Sequence, residues 1–170
     1  MSTLWNLDHI QPKSEVVLQG DTLASMFWNG VNERSSDVWL RQKVLGIWRS
    51  WTWAQTGEFV AEVAAGMISL GLQKGEVVSI LGSTVVEWVV ADLAVLSAGG
   101  VCSGIYPTDA SSQVQYLCDD SKTVLLFVED DEQLDKALEV RERLPHLRKI
   151  VVFDMEGLLG LDDPGVISLD

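Results

Sequence analysis

The chain has 170 residues, 47% of them hydrophobic and 22% charged, enough apolar material for one core of ordinary domain size. Its formal net charge of −13 excludes nucleic acid as a partner, because phosphate contacts need clustered Lys and Arg. From Asp154 to Asp170 there are five acids and no Lys or Arg, the composition of a solvated surface segment.

Residues 1–20 keep no sustained period and read as an irregular arm. They also lack a basic stretch followed by an apolar one, so no targeting segment is expected. Residues 21–55 read as a helix plus a β-hairpin. Leu23, Met26 and Phe27 fall at i, i+3 and i+4 and predict an amphipathic helix over 21–35, its second half weakened by Gly30. The runs "VWLRQ" (38–42) and "GIWRSWTW" (46–53), with a short Lys-Val-Leu-Gly link, predict the hairpin.

Residues 56–154 carry the α/β pattern. Thr52-Trp53-Ala54-Gln55 has the form of a capping box opening a helix. Val60, Val63, Ala64, Met67 and Ile68 form its apolar stripe, and Gly71 is placed to end it in the left-handed conformation. Strands are predicted at 76–81, 101–106, 123–128 and 149–153, with helices between them at about 84–98, around Val114, Leu117 and Cys118, and after Asp130 until Pro145. Glu132–Lys136 and Glu139–Arg143 are favourable i,i+4 pairs on the last helix. The fold class that follows is α/β: a partial doubly wound, mostly parallel sheet of about four βα units, preceded by the N-terminal helix and hairpin. Residues 155–170 read as an acidic tail leading out of this unit.

In such a sheet ligands lie at the carboxyl ends of the strands. Four loops qualify: Gly82-Ser83-Thr84, Tyr106-Pro107-Thr108-Asp109, Glu129-Asp130-Asp131, and the turn after Asp154. The first could offer N–H groups to an anion, but an ordinary Ser cap accounts for it without a ligand. In the second, Pro107 sets a turn, Thr108 or Asp109 caps the next helix, and Tyr106 packs with its hydroxyl at the rim. The acids of the third sit where a helix N-terminus favours them. No dinucleotide or phosphate-loop motif and no nucleophile elbow occurs. Cys102 and Cys118 lie 16 residues apart without a nearby His, so they read as buried thiols and not as metal ligands. No catalytic and no metal-ligating residue is expected, and the cofactor-binding residues stay unassigned.

Taken in order, "GIWRSWTWAQ", "GLQKGEVVSILGSTVVEWVVADLAVLSAGGVCSGIYPTDASSQVQYLCDDSKTVLLFVED", "QLDKALEVRERLPHLRKIVVFD" and "GLDDPGVISLD" resemble the N-terminal portion of AMP-forming acyl-CoA synthetases of the adenylate-forming superfamily. The Ile-Tyr-Pro-Thr form is similar to that of the long-chain fatty-acid–CoA ligases. The resemblance implies a complete enzyme that uses ATP, magnesium, coenzyme A and a fatty acid, and that is cytoplasmic or membrane-peripheral. It also implies that the phosphate loop and the catalytic lysine lie beyond the equivalent of Asp170. The expectation is therefore a ligase segment, inactive as this chain alone, without a transmembrane segment and prone to self-association. Two rivals stand beside it: a non-catalytic truncated paralogue serving as an interaction or regulatory module, and an unrelated receiver-like α/β binding domain. The last would need acids from two different strands to converge.

Overall fold

The computed structural model describes residues 20–158 and 160–169. The arm read over 1–20 lies outside them, apart from Gly20. Helix α1 (Leu23–Glu33) opens on a capping box in which Ser25 N–H donates to Thr22 Oγ1 at 3.0 Å. It runs on through Gly30, beside which the Trp53 ring lies. Strands β1 (Val38–Val44) and β2 (Ile47–Thr52) form an antiparallel hairpin. Its link is two residues, Leu45-Gly46, because Val44 pairs directly with Ile47 and Lys43 with Trp48.

Helix α2 (Trp53–Ser69) starts as its sequence predicts, with Gln55 N–H donating to Thr52 Oγ1 and Thr52 N–H to Gln55 Oε1. It ends at Gly71, whose φ of 87° lets Leu72 N–H reach Met67 O at 3.0 Å. Then follow β3 (Val77–Leu81), α3 (Val86–Ser97), β4 (Val101–Ile105), α4 (Ser111–Asp120), β5 (Leu125–Val128), α5 (Asp131–Val140) and β6 (Lys149–Val152). A 3₁₀ turn, Arg141–Arg143, carries α5 toward Pro145.

The reading of 155–170 as an acidic tail needs correction, because Val166–Ser168 form a fifth strand, β7, parallel to β6. Its three residues are too few to show a period. Arg141 Nη1 donates to Asp163 Oδ2 at 2.6 Å, and Gly165 N–H donates to Asp163 Oδ1 at 2.7 Å, so one of the tail's acids is structural.

All five strands of the sheet are parallel, in the order β4-β3-β5-β6-β7. Alternate residues face opposite layers. Val78, Ile80, Leu125, Phe127 and Val151 pack with α1, α2 and α3. Leu81, Leu126, Val128, Ile150 and Val152 pack with α4 and α5. Helices on both faces explain strands that are apolar throughout. Of the two predicted pairs on α5, Lys136–Glu132 forms at 3.1 Å. The Glu139–Arg143 pair does not, since Glu139 Oε2 instead accepts from Ser111 Oγ of α4 at 2.6 Å.

Candidate functional site

The strand order fixes where a crevice must open. From β3 the chain crosses one way to β4, and β5 then enters on the other side of β3, so the switch point lies between β3 and β5. At their carboxyl ends a cavity of about 330 Å³ is bounded by Arg49 of β2 and by Glu87, Glu129, Asp130 and Asp154. Three of the four loops expected from the sequence thus meet. The fourth, Tyr106-Pro107-Thr108-Asp109, leaves the edge strand β4. Lys136 Nζ ties it to α5 by donating to Pro107 O at 2.6 Å.

Three of the four carboxylates of the crevice accept backbone N–H groups of the chain. Ser83 N–H donates to Glu129 Oε2 at 2.6 Å. A Cβ on Gly82 would stand 2.8 Å from Glu129 Cβ, so a residue without a side chain is needed for that approach. Asp130 Oδ1 accepts from Gln133 N–H and caps α5. Asp154 Oδ1 accepts from Glu156 N–H at 2.8 Å. Acids from the ends of β5 and β6 do share one crevice. Yet among the described residues no group of three His, Cys, Asp or Glu side chains is placed to hold a metal ion. Four carboxylates against one guanidinium also give the wrong sign for nucleotide phosphates. These residues do not fit ATP or magnesium as a self-sufficient site.

Two expected caps are corrected. Ser83 does not cap the helix after β3. That helix begins at Val86, and its first N–H donates to Gln42 Oε1 of the hairpin at 2.8 Å. Neither Thr108 nor Asp109 caps α4, whose N-cap is Ala110, with Gln113 Oε1 accepting the Ala110 N–H at 3.0 Å. Tyr106 is exposed and does not pack. The two thiols are free. Burial pushes Cys118 up to about 11, against hydrogen bonds from Thr123 and Ser79, and burial together with Asp92 pushes Cys102 higher still. Neither is a nucleophile at neutral pH.

A second cavity, about 470 Å³, lies between the α2–α3 layer and the β5–β7 side of the sheet. Phe59, Met67, Val90, Phe127, Val151 and Leu169 give it an apolar lining, with Glu62 and Glu87 also on its walls. It marks where helices α2 and α3 stop short of covering the sheet.

A profile of the family described as AMP-binding enzyme matches residues 28–164. The chain is 31% identical over 151 residues to a long-chain-fatty-acid–CoA ligase of Mycobacterium bovis, covering 89% of this chain and 25% of that protein. It is 33% identical over 135 residues to a long-chain-fatty-acid–CoA ligase of Xenopus laevis, covering 79% and 18%. Among solved structures, the acetoacetyl-CoA synthetase from Streptomyces lividans superposes with a TM-score of 0.73 at 24% identity, over 86% of this chain and 24% of that one. The coronafacic acid ligase from Pectobacterium brasiliense gives 0.75 at 17%, over 86% and 28%. These structural likenesses show a common fold. The chain spans a quarter or less of the length of these two curated relatives. With most of its length matched in this way, the chain belongs to the AMP-binding enzyme family and corresponds to an N-terminal part of an adenylate-forming enzyme.

Proposed function

We propose that the chain is the N-terminal segment of a long-chain fatty-acid–CoA ligase and serves that enzyme as scaffold. The observation that carries this reading is identity above 30% to ligases of that name over 89% and 79% of the chain. In the complete reaction the fatty-acid carboxylate attacks the α-phosphorus of ATP and pyrophosphate leaves. Coenzyme A thiolate then attacks the acyl carbon and displaces AMP. No residue of this segment is assigned to either step. Its contribution is a parallel sheet in which Glu129, at the switch-point crevice, already accepts the Ser83 N–H. On this reading the chain alone is inactive and the nucleotide and CoA sites lie in further sequence. Cytoplasmic ATP and coenzyme A make the cytoplasm the place of action. No helix of the described residues is long and apolar enough to cross a membrane.

The test is the natural size and activity of the protein that carries this sequence. An antibody raised to the chain should capture a polypeptide roughly three and a half times its length, as expected if it matches the Mycobacterium relative, of which 151 aligned residues make up 25%. The captured protein should catalyse palmitate-dependent exchange of pyrophosphate into ATP. A captured protein of 170 residues without exchange activity would support the truncated, non-catalytic paralogue instead.

A further inference from the structure

We infer that the β1–β2 hairpin is a docking element for an anionic lipid surface. The inference rests on the geometry and charge of the hairpin and not on the ligase reading. The base of the hairpin is packed: Trp39, Leu40 and Trp51 join the main core, and Gln42 caps α3. Its distal end is not. Leu45 is 98% exposed, Ile47 71% and Trp48 65%, three large apolar side chains within four residues. A Cβ added at Gly46 would meet nothing within 4 Å, so the tip stands clear of the rest of the chain.

The residue at the tip runs against local preference. Both turn residues have positive φ, 49° at Leu45 and 83° at Gly46. A two-residue turn of this kind favours Asn or Gly first, and leucine is strained there. Packing within the chain does not account for Leu45, since it touches almost nothing. A large apolar side chain held outward is what insertion into the boundary between lipid headgroups and acyl chains requires, and Trp beside it suits that depth.

Charge selects the kind of surface. Between Val38 and Gly57 there is no Asp or Glu, while Arg41, Lys43 and Arg49 are all present and exposed, in a chain whose net charge is −13. None of the three forms an ion pair among the described residues. Lys43 pairs across the ladder with Trp48, so a cation and an aromatic ring share one face next to the tip. Arg49 also borders the crevice with Glu87, Glu129, Asp130 and Asp154, which leaves Arg41 and Lys43 as the cations freest to meet lipid phosphates. The rest of the chain is repelled by an anionic membrane, so contact is confined to this corner and its orientation is set.

The experiment is flotation of the intact protein with vesicles of phosphatidylcholine alone and with about 30 mol% phosphatidylglycerol, in a salt series. Binding is expected to the anionic vesicles at low salt and to fall as salt screens Arg41 and Lys43. Leu45→Gly relieves the backbone strain and should leave the melt intact while weakening flotation about fivefold, and Trp48→Ser should do as much. Lys43→Glu should erase the preference for the anionic vesicles. Absence of flotation at low salt, or flotation that Leu45→Gly and Trp48→Ser together leave unchanged, overturns the inference. So does a Leu45→Cys thiol that a bulky maleimide cannot reach in vesicle-free protein, since the tip would then be covered by protein.

Discussion

Arg148 shows how single residues join segments far apart in sequence. Its guanidinium donates to Gly71 O at 2.7 Å and to the Glu76 carboxylate, so the end of α2, the turn into β3 and the start of β6 are held together. The Gln73 N–H that donates to Glu76 and the adjacent Arg148 hold the Glu76 carboxyl below the usual range, with desolvation opposing them. Arg148→Ala should lower stability at pH 7 by about 1 kcal/mol, because the pair is partly exposed and partly screened. A carboxyl lowered on folding stabilises above its unfolded pKa and loses that effect as pH falls through its folded value. The deficit of the variant should therefore shrink in denaturant melts taken in acid below about pH 4. Gly71→Val should cost about 1–2 kcal/mol, since φ is 87° and the new Cβ would stand 3.3 Å from Arg148 Nη1. An unchanged melting temperature would mean that the α2 terminus tolerates a side chain in this conformation.

Among the elements, α3 depends on a partner outside itself. Val85 offers no side-chain acceptor, and the first helical N–H is satisfied by Gln42 from β1, 44 residues away. Gln42→Leu should destabilise by about 1 kcal/mol, read as a lower urea midpoint with an unchanged slope, because it orphans a part-buried donor. Capping of α2 was legible in the sequence because Thr52 and Gln55 are three residues apart, and Gly71 was legible because its neighbours alone define the helix end. The caps of α3 and α4 were not legible, for the opposite reason. Ser83, and Thr108 or Asp109, stand near the predicted starts and have capping side chains, whereas Gln42 reaches α3 across the fold and Gln113 reaches back to Ala110. Strand β7 has no sequence signature, because three residues in an acidic context carry no period of their own. The place of the crevice follows from strand order, but the Ser83–Glu129 bond within it does not, since the two residues are 46 apart.

For the whole molecule, the consequence is an unfinished surface. The sheet ends in β4 on one side and in the three-residue β7 on the other, and the apolar cavity of about 470 Å³ opens between α2, α3 and the β5–β7 side. Unpaired edges and apolar openings favour association, while a charge of −13 opposes it until salt screens it beyond about 8 Å. Light scattering of the isolated chain should show an apparent mass that grows with ionic strength. One sharp monomer at every salt concentration, with a cooperative melt, would show that the chain is self-sufficient.

On the proposed reading this segment is scaffold within an adenylate-forming ligase, with Glu129, Asp130 and Asp154 at its crevice engaged by backbone donors. The most direct measurement is palmitate-dependent exchange of labelled pyrophosphate into ATP by the purified 170-residue chain, with magnesium present. Exchange no greater than that of a heat-unfolded control is expected. Exchange that co-elutes with the folded chain and disappears when the chain is unfolded would contradict the scaffold reading.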